Sequence, residues 1–119
     1  MASRIVSLPI DCADPEALAA FWTQVLGWRI SNRGGYGVSI EGDGPFEIDF
    51  RVVPDAEKRV KNRLHLDINP TDRDQEAELT RLLGLGAVPV DVGQGDVSWH
   101  VLADPEGNEF CLCRTTVEP

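Results

Sequence analysis

Two short stretches of this chain read almost alike, Leu8-Pro9-Ile10-Asp11 and Leu64-His65-Leu66-Asp67. Each is followed by a helical pattern that closes on a Leu-Gly pair, Leu26-Gly27 in the first case and Leu83-Gly84 in the second. Repetition of element order at this period points to a duplicated supersecondary unit. A chain of 119 residues has room for two such units sharing one domain and for little else. The expected fold is α+β, with two β-α-β-β-β modules at about 3–54 and 61–115 and any chemistry in the concave surface between them.

The local signals support this plan. Residues 5–10 are mostly apolar or β-branched, and Asp14-Pro15-Glu16 then supplies an N-cap, a first-turn proline and an early negative charge. Leu18, Phe21, Trp22, Val25 and Leu26 form one helical stripe, and Gly27 is its left-handed stop. Strands are expected at 28–31, 36–40 and 46–53, separated by glycine-rich turns. In the last of these Phe46, Ile48 and Phe50 alternate with Glu47, Asp49 and Arg51, which gives one apolar and one charged face. In the second half a strand is expected at 63–68 and a helix at 72–83 with Leu79, Leu82 and Leu83 inward, Gly84 and Gly86 forming its exit. Strands at 87–92, 97–103 and 109–114 follow, the last two joined by the turn Asp104-Pro105-Glu106-Gly107-Asn108.

Charge and cysteine usage narrow the partners. Twenty acidic side chains against 11 basic ones give a net charge of −9, which repels phosphate backbones and anionic lipid, so neither nucleic acid nor membrane is an expected partner. The N-terminal residues lack the apolar run of a signal peptide, and no stretch approaches the ~20 apolar residues needed to span a bilayer. The expected location is cytoplasmic, with Cys12, Cys111 and Cys113 reduced. Ser7, Ser39 and Ser98 lack a nucleophile-elbow context, and no glycine loop opens a helix to cradle phosphate.

Asp14-Pro15-Glu16 through Phe21-Trp22, Leu26-Gly27-Trp28, the strand of Lys61-Asn62-Arg63-Leu64-His65-Leu66-Asp67 and the run Asp104-Pro105-Glu106-Gly107-Asn108-Glu109-Phe110 together resemble the vicinal oxygen chelate superfamily. Glyoxalase I, bleomycin-resistance proteins and extradiol dioxygenases belong to it, and this chain is most similar to its small glyoxalase-like branch, common in actinobacteria. The resemblance implies two βαβββ modules whose mixed sheets curl around a cleft, commonly paired across a homodimer. In metal-dependent members it also implies a ligand on the first strand, an acid on the fourth, a His on the fifth and a Glu on the last, holding a Lewis-acid metal with an open position.

Here the matching positions are only partly filled. His65 corresponds to the fifth-strand histidine and Asp49 to the fourth-strand acid, with Glu47 on the same face as its alternative. The first-strand position falls at Ser7 or Pro9 and the last-strand position at Cys111, so a metal would rest on His65, Asp49 and a Cys111 thiolate. Three readings stay open. The first is a metal-free, bleomycin-resistance-type protein with no cofactor that holds a small aromatic or cationic molecule. Its expected contacts are Trp99, Cys111, Arg63, Trp22 and Ser7: the indoles stack on a planar guest, and Arg63, beside Lys61 and Asn62, clamps an acidic group or else pairs with Asp67. The second is a lyase, isomerase or dioxygenase with His65 and Asp49 as catalytic groups and, where a metal is used, Zn, Ni, Fe or Mn. The third is an accessory module that serves a partner protein.

Overall fold

Asp14 Oδ1 accepts a hydrogen bond from the Ala17 N–H at 3.1 Å, and Asp74 Oδ1 accepts one from the Ala77 N–H at 2.9 Å. Each carboxylate satisfies a donor that the first turn of a helix leaves unpaired. The helices so started, in a computed structural model that describes residues 2–119, are α1 (Pro15–Leu26) and α2 (Gln75–Leu85). Gly27 (φ 68°) and Gly86 (φ 113°) close them in the left-handed conformation that a residue without Cβ adopts at little cost. Gly84, by contrast, lies inside α2.

The chain divides into two compact units, the first ending at Glu57 and the second running Lys58–Pro119. In the first, β1 (Ser7–Cys12), α1, β2 (Arg29–Gly34), β3 (Gly37–Glu41) and β4 (Glu47–Val52) follow in order. The sheet order is β1-β4-β3-β2, with β1 parallel to β4 and the other pairs antiparallel. In the second, β5 (Leu66–Ile68), α2, β6 (Val88–Pro89), β7 (His100–Ala103) and β8 (Glu109–Leu112) repeat the scheme as β5-β8-β7-β6, with β5 parallel to β8. The fold is therefore the expected α+β one, a βαβββ unit occurring twice with a four-stranded mixed sheet in each.

Alternation along the strands gives each sheet a packed face and an open one. In the first unit α1 buries Leu18, Ala19, Phe21, Trp22 and Val25 and lies against β2, β3 and β4, whose Val38, Ile40, Ile48 and Phe50 are buried with it. In the second unit the core is built from Leu82, Leu102, Phe110 and Leu112.

Strand lengths in the second unit differ from expectation. The stretch read as a strand over 63–68 is extended only from Leu66, because the Asn62 N–H donates to Glu109 Oε1 at 2.8 Å and the Asn62 side-chain amide to Asn108 Oδ1 at 3.1 Å. These bonds hold residue 62 to the start of β8 instead of to a ladder partner, so Arg63 and His65 do not share a strand face. The stretch read as a strand over 87–92 keeps two residues and that over 97–103 four. Two positive-φ glycines, Gly93 (φ 86°) and Gly95 (φ 68°), interrupt the extended backbone of the intervening chain. Of the three leucines expected inward on α2, Leu82 is buried while Leu83 is 40% exposed. Among the described residues no helix is long and apolar enough to cross a membrane.

Candidate functional site

The open face of the second sheet is built by register. Asp67 on β5 pairs with Cys111 on β8, and Cys111 with Val101 on β7, so these three side chains form a row across the sheet. Glu109 and Cys113 lie on the same face of the chain to either side of Cys111. Above the row opens a cavity of about 370 Å³, walled on its apolar side by Val92, Trp99 and Val101 and on its polar side by Lys61, His65, Asp67 and the thiols.

Electrostatics fix the state of several of these groups. Burial pushes the Cys111 thiol up, and the Asp67 carboxylate adds to the effect; Cys113 is raised by the same two causes in the same order. Both sulfurs are thus held as thiols at neutral pH, weak as nucleophiles. Burial also acts to raise the Glu109 carboxyl, but its ion pair with Lys58 and the Asn62 N–H outweigh this and hold it below the usual carboxylate range. Glu109 is therefore the anchor of the segment around residue 62. His65 is exposed, just ahead of β5, with Nε2 at 3.0 Å from the Asn62 carbonyl oxygen and 3.1 Å from Lys61 Nζ.

The first sheet carries a corresponding row. Pro9 pairs with Asp49 and Asp49 with Ser39, so Asp49 occupies in β4 the place that Cys111 occupies in β8. Asp49 is not the solvated carboxylate that an open sheet face suggests: it is 6% exposed and accepts a 2.7 Å hydrogen bond from Ser39 Oγ, which in turn is bonded to the Tyr36 hydroxyl. Arg51 sits 5.7 Å over the Tyr36 ring, with Nη2 3.9 Å from Asp49. These groups line a polar hollow of about 470 Å³ in which burial, followed by the charges of Asp49 and Glu41, raises the Glu47 carboxyl.

A family model described as a glyoxalase-like domain matches residues 7–113. The chain belongs to the glyoxalase-like family. No curated protein matches it. Several solved structures share its fold. A mutant of the fosfomycin resistance protein FosX from Listeria monocytogenes, complexed with Mn(II) and 1S,2S-dihydroxypropylphosphonic acid, superposes with a TM-score of 0.72 at 15% identity, over 98% of this chain and 94% of that one. A glyoxalase/bleomycin resistance protein/dioxygenase family enzyme from Burkholderia phytofirmans gives 0.67 at 20% identity, over 89% and 94%. TnmS3, an antibiotic-binding protein from Streptomyces sp. CB03234, gives 0.63 at 18% identity, over 97% and 98%. At these identities the likeness is one of fold.

Within this glyoxalase-like frame the predicted site residues separate. His65, Trp99 and Cys111 come together around the second-unit cavity. Trp99 does so from the residue ahead of β7, not from within a strand. Asp49 belongs to the first unit and to the polar hollow there. Trp22 is 2% exposed and edge-on to Phe21 at 5.2 Å, a core residue closed to any guest. Arg63 is exposed and does not line the cavity, and Ser7 stands on β1 beside Glu47. The β5 side chain that adjoins Cys111 is Asp67, not His65. Sequence reasoning passed over Asp67 and Glu109, although each lies two residues along the chain from a chosen position, where a strand repeats its face. Among the described residues no three His, Cys, Asp or Glu side chains form a group that could hold a metal ion.

Proposed function

We propose that this glyoxalase-like chain is a small-molecule-binding protein of the bleomycin-resistance type, holding a flat aromatic or cationic guest in the second-unit cavity without a metal. The observation that carries this reading is Trp99: the residue is 41% exposed at a cavity whose other apolar walls are Val92 and Val101. An aromatic plane left half in water beside an apolar wall gains most by stacking on another plane. Asp67, with the acidic chain around it, favours a guest of positive charge. The fold is shared with an antibiotic-binding protein, TnmS3, as well as with enzymes. The proposal includes a cytoplasmic location, where the three cysteines stay reduced, and a homodimer, which light scattering at micromolar concentration tests.

The binding reading is checked by thermal shift against a panel of planar aromatic amines, with and without Zn²⁺ and Mn²⁺. A guest that raises the melting temperature of the wild type and not of Trp99→Ala, independently of metal, is the expected result. A stoichiometric metal in the purified protein that disappears in His65→Ala would overturn it in favour of a metal-assisted lyase, isomerase or dioxygenase.

A further inference from the structure

Trp99 borders two spaces. Beyond the one already described lies a groove of about 270 Å³, lined by Leu79 and Leu83 of α2, by Asp96 and Val97 of the preceding loop, and by His100. Gln94, Trp99 and Val101 line both spaces, so the indole is a shared wall and not the end of a pocket. Apolar surface is left in water on both sides of it: Val92 is 37% exposed in the first cavity and Leu83 40% exposed in the second groove.

The chain around this wall is pinned while the wall itself is not. Gln94 Oε1 accepts from the Val92 N–H at 2.8 Å and its amide donates to the Val90 carbonyl at 3.3 Å. Gln75 of α2 donates to the Ser98 carbonyl at 2.9 Å. The loop is thereby held at both ends, and among the described residues no hydrogen bond or ring contact fixes the indole of Trp99. The two spaces also differ in character. The first is predominantly apolar, whereas the second presents more polar surface, with Asp96 exposed at its edge and the Glu76 carboxylate 3.7 Å from His100 Nε2.

Resting on the binding reading above, we propose that the guest is a two-part molecule: a flat aromatic ring seated against Trp99 in the first cavity, and a flexible basic arm that crosses the indole edge into the groove beside Asp96 and Leu83. An alkylammonium arm suits the second groove because its methylenes cover Leu79 and Leu83 while its charge faces Asp96.

Two acridines separate the terms. In 9-aminoacridine the ring stands alone, and quinacrine carries a related ring with a dialkylaminoalkyl arm. Equilibrium titration at fixed ionic strength should show quinacrine binding at least tenfold more tightly. Asp96→Asn should weaken quinacrine about threefold to fivefold, the size of a solvent-exposed ion pair, and leave 9-aminoacridine unchanged. Leu83→Ala should likewise act on quinacrine alone, and Trp99→Ala should weaken both compounds. Equal binding of the two acridines, indifferent to Asp96 and Leu83 but lost in Trp99→Ala, overturns the two-part guest and leaves the single-cavity reading standing. Binding of neither acridine, or binding indifferent to Trp99, overturns the aromatic-guest reading and this inference with it.

Discussion

Ser39 Oγ donates a 2.7 Å hydrogen bond to Asp49 Oδ1, and both residues are buried although they stand on the face of the sheet opposite α1. The hydroxyl replaces the water that this carboxylate lost on folding, and the Tyr36 hydroxyl completes the chain from the other side. Ser39→Ala should therefore cost about 1–3 kcal/mol in urea unfolding, since it leaves a buried acceptor without its donor. Tyr36→Phe, which leaves the Ser39–Asp49 bond in place, should cost less. An equal loss in both variants would place the stabilisation elsewhere than in the carboxylate.

Gly37 opens β3 at φ 140°, and a Cβ built there meets the Phe50 carbonyl oxygen at 1.9 Å. That oxygen belongs to the backbone of β4, so the clash cannot be relieved by a rotamer change. Gly37→Ala should reduce stability by several kcal/mol, with a matching fall in the urea midpoint. Gly44→Ala, where a Cβ meets nothing within 4 Å, is the control and should be close to neutral.

The raised thiols of Cys111 and Cys113 set a pH dependence. Because the folded state holds both protons more tightly than the unfolded one, their contribution to stability is fully present below the unfolded thiol pKa. It is lost as pH rises through the folded values. Iodoacetamide should modify the two residues more slowly at pH 8 than a free thiol, with the rate climbing only at higher pH. Asp67→Asn removes the second cause for each thiol and should speed alkylation of both; unchanged rates would exclude the carboxylate as a cause.

Glu109 behaves oppositely, its carboxyl being held low despite burial. Its stabilisation is present above the unfolded carboxylate pKa and is lost as pH falls through the lower folded value. Glu109→Gln removes the charge paired with Lys58 and should cost about 2 kcal/mol at pH 7, with the gap from wild type closing toward pH 3. A gap constant with pH would mean that the ion pair contributes nothing.

The first unit was largely legible in the amino-acid sequence. Asp14-Pro15 and Gly27 mark both ends of α1 because capping is written in residues at fixed positions, and the alternation from Glu47 to Arg51 gives β4 its two faces. The second unit was less so. The bonds of Asn62 to Glu109 and Asn108 join residues 47 and 46 positions apart, and no local pattern signals that such a contact will delay the start of a strand. The same contacts displaced His65 and left Asp67 beside Cys111. Trp99 was found for its ring, while the second groove beside it depends on Leu83 facing outward from α2, against its place in the helical stripe.

The two helices differ in what they press into their sheets. Against five buried apolar side chains on α1, α2 buries Leu82 and the carboxylate of Glu78, gripped by Arg81 at 2.7 and 2.8 Å. A helix fastened by an ion pair holds less apolar area out of water than one fastened by Phe21 and Trp22. Amide protons of α2 should accordingly trade with solvent before those of α1. The unit with the Trp99 cavities is then the one with slack to take up, so a guest should register as slowed deuterium uptake along α2 and the loop through Gln94, with α1 left as an internal clock.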